Sequence, residues 1–344
     1  MRGVLALGAR ASLFMLVFAI AATSACDDAR DDEASNAPSG DAPERRRAVP
    51  GVAPAGPSSP ASGPPSPVFV RAWGGLGTAP GQFVEPSSVE LDTVGNVYVA
   101  GHEDRVQKFT RDGILLEIWG TAGGGDGQFN HPHGLAIDRR RGDIVYVGDQ
   151  ENRRVQSFTG AGVFQRRWLD DGFRHIHDIG IDPIAGDIYI GDYEANVIRK
   201  FSPDGVKLAE IGGPGTAGGQ FAGVWGISTD SARNVYVADT GNRRVQKLDR
   251  GGRFLATWDG STTPAKAFRK PTGVFVDAAD TVYVCDSVAQ TVFLFDGSGR
   301  FLGSWDLRAI VPFATEPEDI VVDASRSNVY LGEVLGHRVL QLRL

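Results

Sequence analysis

What the chain has little of narrows the choices first. It holds two cysteines in 344 residues, Cys26 and Cys285, and with Cys26 in an N-terminal targeting stretch no intramolecular disulfide can staple the fold. A cationic excess is missing: the formal charge is -7, and beyond residue 67 there are 29 Lys/Arg against 35 Asp/Glu. That balance excludes nucleic-acid capture by net charge, and no nucleic-acid partner is expected. Long apolar runs are absent too. The longest near the start, residues 11–22 (ASLFMLVFAIAA), is too short to span a bilayer. Apolar residues as a class are not scarce, at 42% with 45 glycines, which suits one large globular domain.

Residues 1–25 have the layout of a signal peptide: Arg2 and Arg10, then the apolar run, then the small residues Thr23, Ser24 and Ala25 before Cys26. T-S-A-C resembles a bacterial lipobox, which implies lipidation at Cys26, attachment to a membrane through the lipid, and a place on the periplasmic or extracellular side of a bacterial cell envelope. Residues 27–67 contain no aromatic residue and few large aliphatics. Such a segment cannot bury enough surface to order itself, so it is expected to be a disordered stalk.

From residue 68 to 344 the chain repeats itself. A tyrosine in a short apolar strand recurs at Tyr98, Tyr146, Tyr189, Tyr236, Tyr283 and Tyr330, at spacings of 48, 43, 47, 47 and 47 residues. A second strand follows each, as in RVQKF around Val106 and RVQKL around Val245. A third ends in Trp73, Trp119, Trp168, Ile211, Trp258 or Trp305. A fourth precedes each tyrosine, entered through Phe83, Phe129, Phe173, Phe221, Phe268 or Phe313 and closed by Asp92, Asp138, Asp182, Asp230, Asp277 or Asp323. Four short strands iterated six times predict an all-β, six-bladed propeller of four-stranded antiparallel blades.

The V-Y-V-A strands are apolar at consecutive positions because each blade lies between two others, where a half-exposed strand would alternate. Asp followed by Gly or Asn supplies the turns. The Trp73 strand precedes the first full set and the chain stops after the third strand of the sixth, so residues 68–74 are expected to pair with 337–343, closing a monomeric ring and removing open edges.

Taken together, G-Q-F-x-x-P-x-G-L-A-I-D, N-V-Y-V-A-D-T-G-N-R-R-V-Q-K-F and a terminal W-G resemble the NHL repeat over residues 68–344. The resemblance implies a rigid ring whose loops carry the function.

Alternate connections in a meander share a face, so the entry loops and the loops after the tyrosine strands crowd one mouth of the central channel. Equivalent positions there are Ser87, His133, His177, Trp225, Thr272 and Glu318, and the next register reads Ser88, Gly134, Asp178, Gly226, Gly273 and Asp319. His133, His177, Trp225, Glu318, Asp178 and Asp319 are the candidate ligand-binding residues. One expectation is a non-catalytic binding or scaffold module for a peptide, protein or polysaccharide, with these side chains filling the mouth. The other is a metal-dependent lyase or hydrolase with one divalent ion, zinc or calcium, on His133, His177 and Glu318. The motifs H-P-H-G at 131–134 and I-H-D-I at 176–179 are similar to the zinc-histidine motifs of the peptidyl-hydroxyglycine alpha-amidating lyase propeller. There the histidines lie on alternate blades, whereas here they lie on neighbouring ones. Tyr193 reads as a surface residue, Arg154 and Arg244 as loop ties, and Cys285 as a small buried residue in a slot otherwise filled by Ala or Gly.

Overall fold

The computed structural model describes residues 64–344. The expected signal peptide at 1–25, the lipidation site Cys26 and stalk residues 27–63 lie outside the described residues. Six antiparallel sheets of four strands form the blades. In blade 1 they are Pro86–Leu91, Val97–Gly101, Arg105–Phe109 and Leu115–Trp119, running from the channel outward. Blades 2 to 5 repeat the order, with innermost strands Pro132–Asp138, Ile176–Ile181, Val224–Thr229 and Pro271–Val276. These innermost strands contact one another in sequence, and the strand Pro317–Val322 of blade 6 returns to blade 1. Four of the six begin with proline, which has no N–H to offer a ladder and is tolerated at a strand's first residue.

Blade 6 takes its outer strand from the other end of the chain. Val68–Gly74 pairs antiparallel with Arg338–Arg343, placing Trp73 opposite Val339. His337, expected inside that strand, is one residue outside it, in a left-handed turn with φ 53°. Among the described residues no helix is long and apolar enough to cross a membrane.

The tyrosine strands are buried at every position in four blades, as in Val97–Gly101 and Val235–Asp239, and at all but the first residue, Ile144 or Asn328, in the other two. Apolar clusters between blades account for this: Tyr98, Ala100 and Val106 of blade 1 pack with Phe129, Leu135 and Val147 of blade 2. Phe83, Phe129, Phe173, Phe221 and Phe268 are buried as expected. Phe313 departs from the pattern and is only half-buried. Blade 6 is entered through a short helix, Leu307–Ile310, whose Leu307 packs with Val311 and Trp305 in the core. Phe313 slides outward to lie edge-on to Phe69, beneath the Arg338 guanidinium.

Candidate functional site

Two layers of side chains narrow the upper end of the channel. The first comes from the second residue of each innermost strand. In blade 2, His131 adopts a left-handed φ of 57° while its N–H donates to Asp104 Oδ1 at 2.9 Å, and the following Pro132 starts the strand. That bend delivers His133 into the channel. Blade 3 delivers His177, blade 4 Trp225 and blade 6 Glu318, which together with Ser87 surround a cavity of about 10 Å³. Thr272 of blade 5 is the exception. It is fully buried, and its hydroxyl donates to the Pro317 carbonyl at 3.0 Å.

His133, His177 and Glu318 are each at most 7% exposed, and one ligand atom from each lies within 4.8 Å of the others. His133 Nδ1–H donates to the His177 carbonyl at 2.8 Å. A carbonyl only accepts, so this contact fixes the tautomer and leaves the lone pair on Nε2. Trp225 Nε1–H donates to Glu318 Oε1 at 2.7 Å. Burial, reinforced by His102, pushes the His133 imidazole down to about 3. Burial and then His133 hold His177 well below the ordinary range. Burial lifts the Glu318 carboxyl to about 8 against the pull of the Lys270 ammonium and the Trp225 hydrogen bond. At neutral pH the trio is therefore two neutral imidazoles and a carboxylic acid. A neutral imidazole keeps one ring nitrogen free of a proton and is a ready ligand, and Glu318 has one proton to release.

Asp178 and Asp319 form the layer beneath and also line the small cavity. Their hydrogen bonds go to the ring. Asp178 Oδ2 accepts the Ile227 N–H at 2.7 Å, while Asp319 Oδ2 accepts the Val89 N–H at 2.9 Å and the Ser88 hydroxyl at 3.0 Å. Each carboxylate thus bolts its blade to the next. Burial raises both, Asp319 to about 7 and Asp178 well above its usual range, the latter also through the Asp319 charge. Gly134 explains how close the strands come in this layer: a Cβ there would sit 2.6 Å from the Asp178 Cα.

Three further side chains reach the mouth from loops. Tyr193, read from sequence as a surface residue, stands edge-on to Trp225 with ring centroids 5.4 Å apart and lies 5.8 Å from His177. Lys270 places its ammonium 4.5 Å from the Trp225 ring centre. His102 stacks on His131 at 4.2 Å and lies 5.6 Å from His133. The loop arginines behave as expected. Arg154 pairs with Asp149 at 2.6 Å and donates to the carbonyls of Gly124, Gly125 and Gln128, and Arg244 repeats the arrangement with Asp239. Cys285 is buried, and burial pushes its thiol up, so it is no nucleophile.

As to donor chemistry, two nitrogen ligands and one carboxylate suit zinc and similar transition metals, whereas calcium takes oxygen ligands alone. Of the two ions expected from sequence, this set fits zinc.

The family model of the NHL repeat matches residues 221–248. The chain is 26% identical over 144 residues to Protein brain tumor of Drosophila melanogaster, covering 39% of this chain and 14% of that one. It is 31% identical over 107 residues to NHL repeat-containing protein 3 of Mus musculus, covering 28% and 30% of the two chains. It is also 31% identical over 126 residues to Peptidyl-glycine alpha-amidating monooxygenase B of Xenopus laevis, covering 32% and 14%. The chain thus spans well under half the length of these relatives. Among solved structures, virginiamycin B lyase from Staphylococcus aureus superposes with a TM-score of 0.55 at 12% identity, over 76% of this chain and 95% of that one, a likeness of fold alone. The chain is a six-bladed β-propeller carrying NHL-repeat sequence at residues 221–248, with distant similarity to the peptidyl-glycine alpha-amidating monooxygenases.

Proposed function

We propose that this propeller is a ligand-binding module whose upper mouth is centred on one zinc-like divalent ion held by His133, His177 and Glu318, and that a peptide or protein docks across it. The observation that carries the reading is the meeting of three buried ligand-type side chains, from three blades, within 4.8 Å. Three protein donors leave a coordination position for an oxygen of the incoming ligand. Trp225 and Tyr193 offer an aromatic wall beside it, and Lys270 a positive charge. The lipobox-like stretch at Cys26 and the stalk at 27–67 would hold the ring away from a bacterial envelope membrane, which suits capture of an extracytoplasmic peptide, protein or polysaccharide.

A second reading keeps the same residues and adds catalysis. It is favoured by the open position of a three-donor set and by the stretch shared with the amidating monooxygenase. A bound divalent ion would supply Lewis acidity at that position. The residues themselves would hold the ion and orient the ligand, with His133 kept in one tautomer by the His177 carbonyl.

Metal analysis of the purified protein tests the centre. One equivalent of zinc per chain is expected, lost in His133→Ala and His177→Ala while the fold is kept. Absence of metal after loading with zinc would remove both readings. If zinc is retained, turnover of a peptidyl-hydroxyglycine by the loaded protein, abolished by His177→Ala, separates the enzyme from the binding module.

A further inference from the structure

On the face opposite the histidines the channel opens into a much larger cavity of about 770 Å³, within the range of roughly 300–1,000 Å³ usual for small-molecule sites. Its wall is largely apolar, with Ile137, Ile181, Phe275, Val276 and Val322 from the inner strands. Glu90 breaks that wall. In each blade one inner-strand residue pairs directly with the signature tyrosine; here they are Glu90, Ala136, Gly180, Ser228, Phe275 and Val321. Glu90 is the ionisable one. Its Oε2 accepts the Leu91 N–H at 3.1 Å and the Arg139 guanidinium at 2.8 Å. Both of those bonds use the same oxygen, and Oε1 accepts none from the described residues. The side chain lines the cavity and is about one-fifth exposed.

The charges around the cavity balance, so the free acceptor on Glu90 decides what kind of group would take it. Six carboxylates line the cavity against three guanidiniums, those of Arg111, Arg139 and Arg140. Lys108, Lys247 and Arg326 stand just behind it and pair with the wall residues Asp92, Asp230 and Asp277, which balances the count. What selects the ligand is therefore Glu90 Oε1, because a carboxylate oxygen with no donor takes a stronger, charge-assisted hydrogen bond from an ammonium than from a neutral group. A plain hydrocarbon would strip water from Glu90 and give nothing back.

We propose that the lower mouth is a second binding site, for a small hydrophobic amine whose apolar body lies against Ile181, Phe275 and Val276 and whose ammonium donates to Glu90 Oε1. The site is independent of the histidine cluster at the other end of the channel.

Dansylcadaverine, a primary amine on an apolar fluorescent body, probes it directly in a titration of the whole protein, with its N-acetylated derivative as the uncharged control. Saturable one-to-one binding of the amine is expected. Acetylation should weaken it about tenfold or more, since a charge-assisted hydrogen bond is lost. Glu90→Gln should narrow the gap between the two probes, and His133→Ala should leave both affinities unchanged. The proposal is overturned if the amine fails to saturate, if the two probes bind the wild-type protein within twofold of each other, or if His133→Ala abolishes binding. The comparison of probes on the wild-type chain stands even if the Glu90 variant does not fold.

Discussion

Single side chains at the upper mouth store a pH dependence that can be read off their surroundings. Glu318 and Asp319 are protonated in the folded protein up to about 8 and about 7. In the unfolded chain they ionise near 4. Between those limits the folded state binds more protons, so their contribution is complete at acid pH and is lost as pH rises through 7 and 8. His133 works the other way. Its folded value near 3 lies below the unfolded one, so stability is lost as pH falls from about 6.5 toward 3. The metal-free protein should therefore show a falling Tm between pH 6.5 and 8.5, and Glu318→Gln should flatten the upper part of that fall. A Tm independent of pH over this window would contradict the burial of both acids. Zinc binding reverses the demand on Glu318, because coordination needs the carboxylate; below about pH 8 apparent affinity should rise with pH, by up to tenfold per unit for one released proton. His133, His177 and Glu318 were legible in the sequence because they sit at one register of a counted repeat. Tyr193, Lys270 and His102 were not, since each belongs to a loop whose path the repeat does not specify.

At the level of strands and turns, the same signature residues prove to be joints between blades. The Tyr98 hydroxyl donates to the Gly160 carbonyl of the next blade at 2.9 Å, Tyr189 to Arg250 at 3.0 Å and Tyr330 to Arg111 at 3.2 Å. Those carbonyls belong to equivalent hairpin turns, and the glycine two residues further on sits over the outer-strand Trp119, Ile211 or Trp73 of the preceding blade. Gly162 has φ 74°, and a Cβ there would lie 2.6 Å from Trp119. Glycine is needed twice over at this point, for the left-handed backbone and for the contact. Two graded outcomes follow for thermal or urea unfolding. Tyr189→Phe removes one hydrogen bond and leaves the Arg250 carbonyl its Lys200 donor, so it should cost about 1 kcal/mol. Gly162→Val adds backbone strain to a steric clash and should cost more, about 2–4 kcal/mol. Equal effects would mean that the Trp119 seat is not tight. The sequence displayed these residues as markers of period without showing what they touch, because a tyrosine and its acceptor lie 61 or 62 residues apart, and 219 across the ring closure. Phe313 marks the opposite case: the pattern assigned it an entry position, and a four-residue helix displaced it by supplying Leu307 to the core.

For the whole ring, the seam between blades 6 and 1 is where chain connectivity does not help. Blade 6 is completed by residues 68–74, and Gly113 of blade 1 then sits on Trp73 as Gly162 sits on Trp119. The seam thus reuses the joint found elsewhere, and Asp319 of blade 6 adds its bonds to Ser88 and Val89 of blade 1. The proposed metal site also straddles this boundary, since Glu318 precedes it in the ring and His133 and His177 follow it. A ligand that binds only the closed ring stabilises it by mass action, by about 2.7 kcal/mol at a free concentration one hundred times its Kd. Trp73→Ala opens a void at the seam and leaves the three metal-binding residues untouched. It should lower both Tm and zinc affinity, because the geometry around Glu318 depends on closure. Tyr189→Phe, inside the continuous part of the ring, should lower Tm and leave zinc affinity unchanged. Calorimetric titration of the two variants decides the matter: equal affinities would show that the mouth is held by its neighbouring strands alone, and that closure of the ring contributes nothing to the site.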